Sequence, residues 1–151
     1  MSITVNGLDE LRALAGSDLG TSRWITVSQD RINTFADATD DHQWIHTDPE
    51  KAQTGPFGAP IAHGYLTLSL FIPLFTEVLQ VSGVTAKVNY GLNKVRFPAP
   101  VKAGARIRLA GRLASVEDVP GGVQIAVDGT VEIDGGDKPA AVLQSLSRFY
   151  A

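Results

Sequence analysis

The segment DDHQWIHTDPE, from Asp40 to Glu50, holds two of the three histidines of the chain and two adjacent carboxylates. Three readings fit these residue types. A junction between helices that is rich in Asp, His and Thr is ordinarily a solvated turn. As a metal site, His42 and His46 stand four apart, the spacing of one helical face, with Asp41 as third ligand. Asp48 and Pro49 start a new helix after His46, so a continuous helix through both histidines is not expected. As an acid–base pair, Asp41 and His46 on one short loop reach one water molecule. The carboxylate accepts a proton, and imidazole titrates near neutral pH. Such a pair activates water, or takes a proton from carbon, next to an electron-poor double bond.

That third chemistry also needs a place for negative charge on a carbonyl oxygen. Backbone N–H groups at a helix N-terminus provide one. His63-Gly64 opens the most apolar segment of the chain, and Gly64 has no side chain to block a substrate carbonyl. A dyad loop, a glycine-rich loop and a free helix N-terminus together fit the addition of water to an activated double bond.

The elements that must hold these residues are legible in the periodicity. Leu8, Leu11, Leu14 and Ala15 predict a short helix over 8–15, ended by Gly16. Arg23 to Val27 reads as a strand. Ser28 caps a helix over 29–39, with Asp30 in its first turn and Ile32, Phe35 and Ala36 on its apolar face. Asp48-Pro49-Glu50-Lys51 reads as a cap, a proline at the first helical position and a helix to about Gln53. TGPFGAPIAHG, 54–64, is a loop with unusual backbone angles. YLTLSLFIPLF is apolar on nearly every face, which predicts a buried helix that Pro73 kinks or weakens.

From Val84 onward the period becomes two. Ile107 to Leu113 and Val123 to Ile133 alternate apolar with polar, and a last strand runs over 140–149. Pro120-Gly121-Gly122 and Asp134-Gly135-Gly136-Asp137 supply the turns. The simplest packing is an α+β fold, an antiparallel sheet wrapped around the long buried apolar helix. An open edge strand on such a sheet favours pairing with a second copy.

Composition narrows the function. The 151 residues fit one domain, 1–151, and 44% hydrophobic residues suffice for its core. A net charge of −3 with no basic cluster argues against nucleic acid or an anionic membrane surface as partner. The absence of cysteine excludes disulfides, thiol nucleophiles and thiolate metal sites. MSITVNGLDELRALAG lacks the basic start of a signal peptide, and the run from Tyr65 to Phe75 is too short to span a bilayer. A cytoplasmic protein is expected.

The segment FADATDDHQWIHTDPEKA resembles the signature of the MaoC-like, (R)-specific enoyl-CoA hydratases, or hydratase 2. The resemblance implies Asp41 as catalytic aspartate, His46 as catalytic histidine five residues on, and Ala52 as the small residue six further. It implies that Gly64 in PIAHG, eighteen residues after His46, donates its backbone N–H to the thioester carbonyl. Asp40 stands where the family has glycine, Gln43 where it usually has asparagine, and Trp44 where it has proline. Gln43 is a candidate for positioning water or substrate. HQWIH with YGLNKVRFPAPV is closer to an actinobacterial and nodulation protein N-like branch.

The resemblance covers about 20–150. It implies a homodimeric hotdog fold that acts on acyl-CoA with no metal and no cofactor, coenzyme A being part of the substrate. Lys94, Arg96 and Lys102 are candidates for its phosphates, though a solvated charge is the commoner role. A hotdog acyl-CoA thioesterase and a non-catalytic acyl-binding subunit of a heterodimeric dehydratase are the rivals. His63 reads as a structural residue beside the glycine. Trp44 and Phe57 read as walls of the acyl pocket or as core. Asn89 to Lys94 reads as a bulge in the first long strand, with a pocket wall or a dimer contact as the functional alternative.

Overall fold

The computed structural model describes residues 2–151. Its core is one α-helix against one curled antiparallel sheet. In chain order the elements are β1 (Ile3–Asn6), α1 (Gly7–Ala13), β2 (Asp18–Thr21), β3 (Ile25–Thr26), α2 (Gln29–Thr39), α3 (Trp44–Thr47) and α4 (Pro49–Gln53). Then follow α5 (Gly64–Val78), β4 (Leu79–Ser82), β5 (Ala86–Arg96), β6 (Arg106–Val119), β7 (Gly122–Ile133) and β8 (Ala141–Tyr150). The main sheet runs β2-β6-β7-β8-β5, with β3 also on β6. A separate parallel pair joins β1 to β4.

The period-two segments behave as expected. Ile107, Leu109 and Leu113 of β6 and Val123, Ile125, Val127 and Val131 of β7 are fully buried, while Arg108, Arg112 and Asp128 face outward. Gly129 lets α5 sit close, since a Cβ there would lie 3.1 Å from Phe71 Cε1. The strand read over 23–27 is only Ile25–Thr26. It continues β2 along β6, and the break falls at Ser22. There the Ser22 hydroxyl accepts the Leu109 N–H at 2.9 Å in place of a main-chain carbonyl. The bulge expected at Asn89–Lys94 is present as two register shifts between β5 and β8.

Helix α5 is long and apolar, but it is not buried all round. Leu66, Leu70, Phe71, Leu74, Phe75 and Val78 pack into the core. Tyr65, Ser69, Pro73 and Thr76 form an exposed stripe, because the sheet curls around only part of the helix. The helix runs unbroken through Pro73. The carbonyl that loses its partner to the proline belongs to Ser69, on that exposed stripe, where water is available to it. No helix among the described residues is long and apolar enough to cross a membrane.

Two caps read from sequence are made. Ser28 Oγ accepts Arg31 N–H and Asp48 Oδ1 accepts Lys51 N–H, both at 3.1 Å. At its other end, α2 stops at Asp40, with φ 60° and ψ 26°. Asp40 is the one non-glycine residue with positive φ among the described residues. The left-handed region crowds Cβ, so glycine is the better C-cap here. Asp40→Gly is expected to raise the unfolding free energy by about 0.5–1 kcal/mol. Urea denaturation checks this, and an unchanged or lower midpoint refutes it.

Candidate active site

Asp40 turns the chain out of α2 so that Asp41 is the first residue of the loop, its N–H bonded to Ala36 O at 3.2 Å. Gln43 caps the single-turn helix α3, which the sequence reading did not foresee. Its carbonyl accepts the His46 N–H at 3.0 Å. This turn swings His46 inward to 7% exposure. Ile61, in the glycine-rich loop, closes the arrangement. Its N–H bonds Ile45 O at 3.0 Å and its carbonyl accepts His46 Nδ1 at 2.7 Å. A carbonyl only accepts, so Nδ1 carries the proton and His46 Nε2 holds a free lone pair.

His63 completes the group. It is 3% exposed, and its Nε2–H donates to the Asp41 carbonyl at 2.9 Å. Its ring stacks on His46, centroids 3.9 Å apart and planes 22° from parallel. Ligand atoms of Asp41, His46 and His63 all lie within 4.8 Å of one another. His42, by contrast, is at the surface between Asp37 and Asp40, at 3.8 and 3.7 Å. The pairing of His42 with His46 considered from spacing is therefore not made, because α3 begins after His42. The buried partner of His46 is His63, from a segment far along the chain.

Next to this trio stands the N-terminus of α5. The carbonyls that would take the Gly64 and Tyr65 N–H groups belong to Pro60 and Ile61. Both residues precede the helix, so their carbonyls do not point back along its axis. Both N–H groups of the first turn are thus free, at the positive end of the helix dipole. Asp41, His46, His63, Gly64, Tyr65 and Phe97 line one pocket of about 210 Å³. A Cβ on Gly64 would lie 3.0 Å from the Phe97 ring, so only glycine leaves this wall as it is. Tyr65 and Phe97 carried no local sequence signal, since Phe97 reaches the pocket from beyond the end of β5.

Other candidates are placed differently. Gln43 is exposed and does not line this pocket. Trp44 packs against Gly55 and under the Lys51 amine and does not line this pocket. Phe57 is 36% exposed and does not line it either. Lys94 lies on the outer face of the sheet with Arg112 and Asp128. Arg96 ends β5 just before Phe97 and bonds the Val95 carbonyl. Lys102 pairs through its backbone with Ile61, which brings it beside the dyad loop.

Burial pushes the His46 imidazole below its ordinary range. The bond to Ile61 opposes this, His63 adds to it, and Asp41 opposes it more weakly. The unfolded chain therefore binds the proton first. Stability from neutral His46 is complete above about pH 6.5, the unfolded value, and is lost as pH falls through the depressed folded value. On going from pH 7 to pH 5, the melting temperature of the wild type is expected to drop further than that of His46→Asn. Parallel curves for the two proteins contradict this.

An antiparallel sheet curled on one long central helix is the hotdog architecture. A family model described as MaoC like domain matches residues 10–135. The chain is 51% identical to the 3-hydroxyacyl-thioester dehydratase Z of Mycobacterium tuberculosis, covering 98% of this chain and 99% of that protein. It is 43% identical to nodulation protein N of Rhizobium meliloti, covering 88% and 84%. Its fold matches the unliganded R-hydratase of Pseudomonas aeruginosa with a TM-score of 0.71 at 22% identity, covering 90% and 81%. The chain belongs to the MaoC-like family, and it is a dehydratase, a hydro-lyase of the hotdog fold.

Proposed function

We propose that this enzyme adds water reversibly across a trans-2-enoyl-CoA to give the (R)-3-hydroxyacyl-CoA, and catalyses the reverse dehydration. One observation carries the reading. A carboxylate and an imidazole lone pair converge beside two free N–H groups at a helix N-terminus. The names of the mycobacterial dehydratase and the Pseudomonas R-hydratase support the same reaction class.

In this reading water is held by Asp41 and His46 Nε2, both acceptors. Its oxygen forms the bond to Cβ as one O–H bond breaks to the dyad. The π electrons of the double bond move toward Cα and the thioester oxygen. The Gly64 N–H stabilises the charge that develops there. The proton held by the dyad then passes to Cα, so one water is added in all. An apolar cavity of about 370 Å³, lined by Leu68, Phe71 and Ile72 of α5, Leu92 of β5 and Leu146 of β8, is assigned to the acyl chain. Lys102 and Arg96 are the better placed cations for the phosphates of coenzyme A, and Lys94 the least.

The enzyme is read as a cytoplasmic homodimer. Strand β5 is an open edge, exposed along its length, and it presents Val88, Tyr90 and Leu92. An uncovered apolar edge favours pairing with an identical one.

The deciding assay offers enoyl and saturated acyl-CoA thioesters of increasing chain length. Loss of enoyl absorbance with formation of the (R)-alcohol supports the reading. Release of free thiol from both substrates would move it to a thioesterase. Activity is also expected to survive extensive dialysis against chelator. The histidine rings are stacked, and one ion must lie near the plane of each ring it binds, which nearly parallel planes do not allow. Activity lost to chelator and restored by Zn²⁺ would reverse this conclusion.

A further inference from the structure

We propose that His63 is a positioning residue for the dyad, one ring that aligns the Asp41 main chain, the His46 imidazole and the start of α5 together. The inference rests on the hydratase reading for its kinetics but not for its geometry.

His63 touches each part of the site. It stands on the N-cap of α5, where its carbonyl accepts the N–H groups of Leu66 and Thr67 at 3.0 and 3.1 Å. That anchors the turn carrying the free Gly64 N–H. Its Nε2–H holds the Asp41 carbonyl at 2.9 Å, which sets where the aspartate leaves α2. Its ring is clamped between Phe35 of α2, at 4.9 Å, and His46 of α3, at 3.9 Å. The plane of the His46 ring, and with it the direction of the Nε2 lone pair, is fixed from one side by this stack. At its edge the ring is held by the Nδ1–H bond to the Ile61 carbonyl.

A packing role alone does not account for the residue. His63 Nδ1 is buried and has no hydrogen-bond partner among the described residues. An orphan acceptor in the core is a cost that an apolar ring would avoid. The imidazole earns its place through the Nε2–H bond to the Asp41 carbonyl. The titratable groups that face it are His46 from α3 and Asp41 from the loop, with Tyr65 of α5 on the same pocket wall. Phe35 and Phe97, from the other elements packed here, carry no charge. His63 is one of the contributions that hold His46 neutral.

Two variants test this. His63→Leu keeps volume and removes the donor. His63→Gln keeps an amide N–H near the Nε2 position. The first readout needs no substrate. In ¹⁵N-histidine-labelled protein, only His42 and His46 remain in the variants, so the His46 titration is directly observed. Its midpoint is expected to rise in both variants. The second readout is kinetic. His63→Leu is expected to lower kcat about 10-fold or more with little change in KM. The acid limb of the kcat/KM profile should move to higher pH, and His63→Gln should recover much of kcat. A folded variant with an unmoved His46 midpoint overturns the proposal. So does a kcat loss in which glutamine is no better than leucine and the acid limb stays put. Should the leucine variant not fold, the midpoint in His63→Gln decides the question. A wild type that hydrates no thioester refutes the hydratase reading, while the titration still decides the positioning role.

Discussion

His46→Asn is expected to fold and bind thioester but to lose turnover by about 10²-fold or more, the range of a lost general acid–base group. Asparagine is the informative substitution. Its amide nitrogen falls near Nδ1 and so preserves the bond to Ile61 O, which the loop needs. What disappears is the Nε2 lone pair. Asp41→Asn should cost a similar factor for the complementary reason. It keeps size and the main-chain bond to His63, but it replaces a charged acceptor with an amide. Because the two groups handle one water, the double variant should be little worse than either single one. Steady-state kinetics on a trans-2-enoyl-CoA measure this, with circular dichroism as the fold control. Turnover near wild type in either single variant removes the dyad from the mechanism.

Gly64→Val should have the next largest effect, a loss of about 3 kcal/mol of transition-state stabilisation, or roughly 10²-fold in kcat. The variant keeps its N–H. Its side chain, however, stands where the thioester carbonyl must approach, and its Cβ starts 3.0 Å from the Phe97 ring. That ring is 38% exposed and has room to swing outward, so the fold should survive while the pocket mouth fills. The His46 titration should be unmoved, which separates this loss from damage to the dyad. A structure with a bound thioester provides the direct check. The thioester oxygen should lie about 3 Å from the Gly64 nitrogen. Full turnover in Gly64→Val, with the oxygen elsewhere, refutes the assignment.

Local rules carried much of this molecule. Caps at Ser28 and Asp48 were readable because each is made within four residues. The alternation in β6 and β7 was readable because one face of each is wet and the other dry. Asp41, His46 and Gly64 could be nominated from residue type, from spacing and from resemblance. Tertiary structure decided the rest. The β1–β4 pair spans more than seventy residues and has no period to announce it. The exposed stripe on α5 depends on how far the sheet curls, which no helical pattern encodes. The partner of His46 was decided in the same way. Sequence offered His42, four residues away, whereas folding delivered His63 on the loop before α5. Spacing along the chain constrains only neighbours on one element. A site assembled from a helix end, a single turn and a distant loop is specified by packing, which sets angles and burial that a linear pattern does not contain.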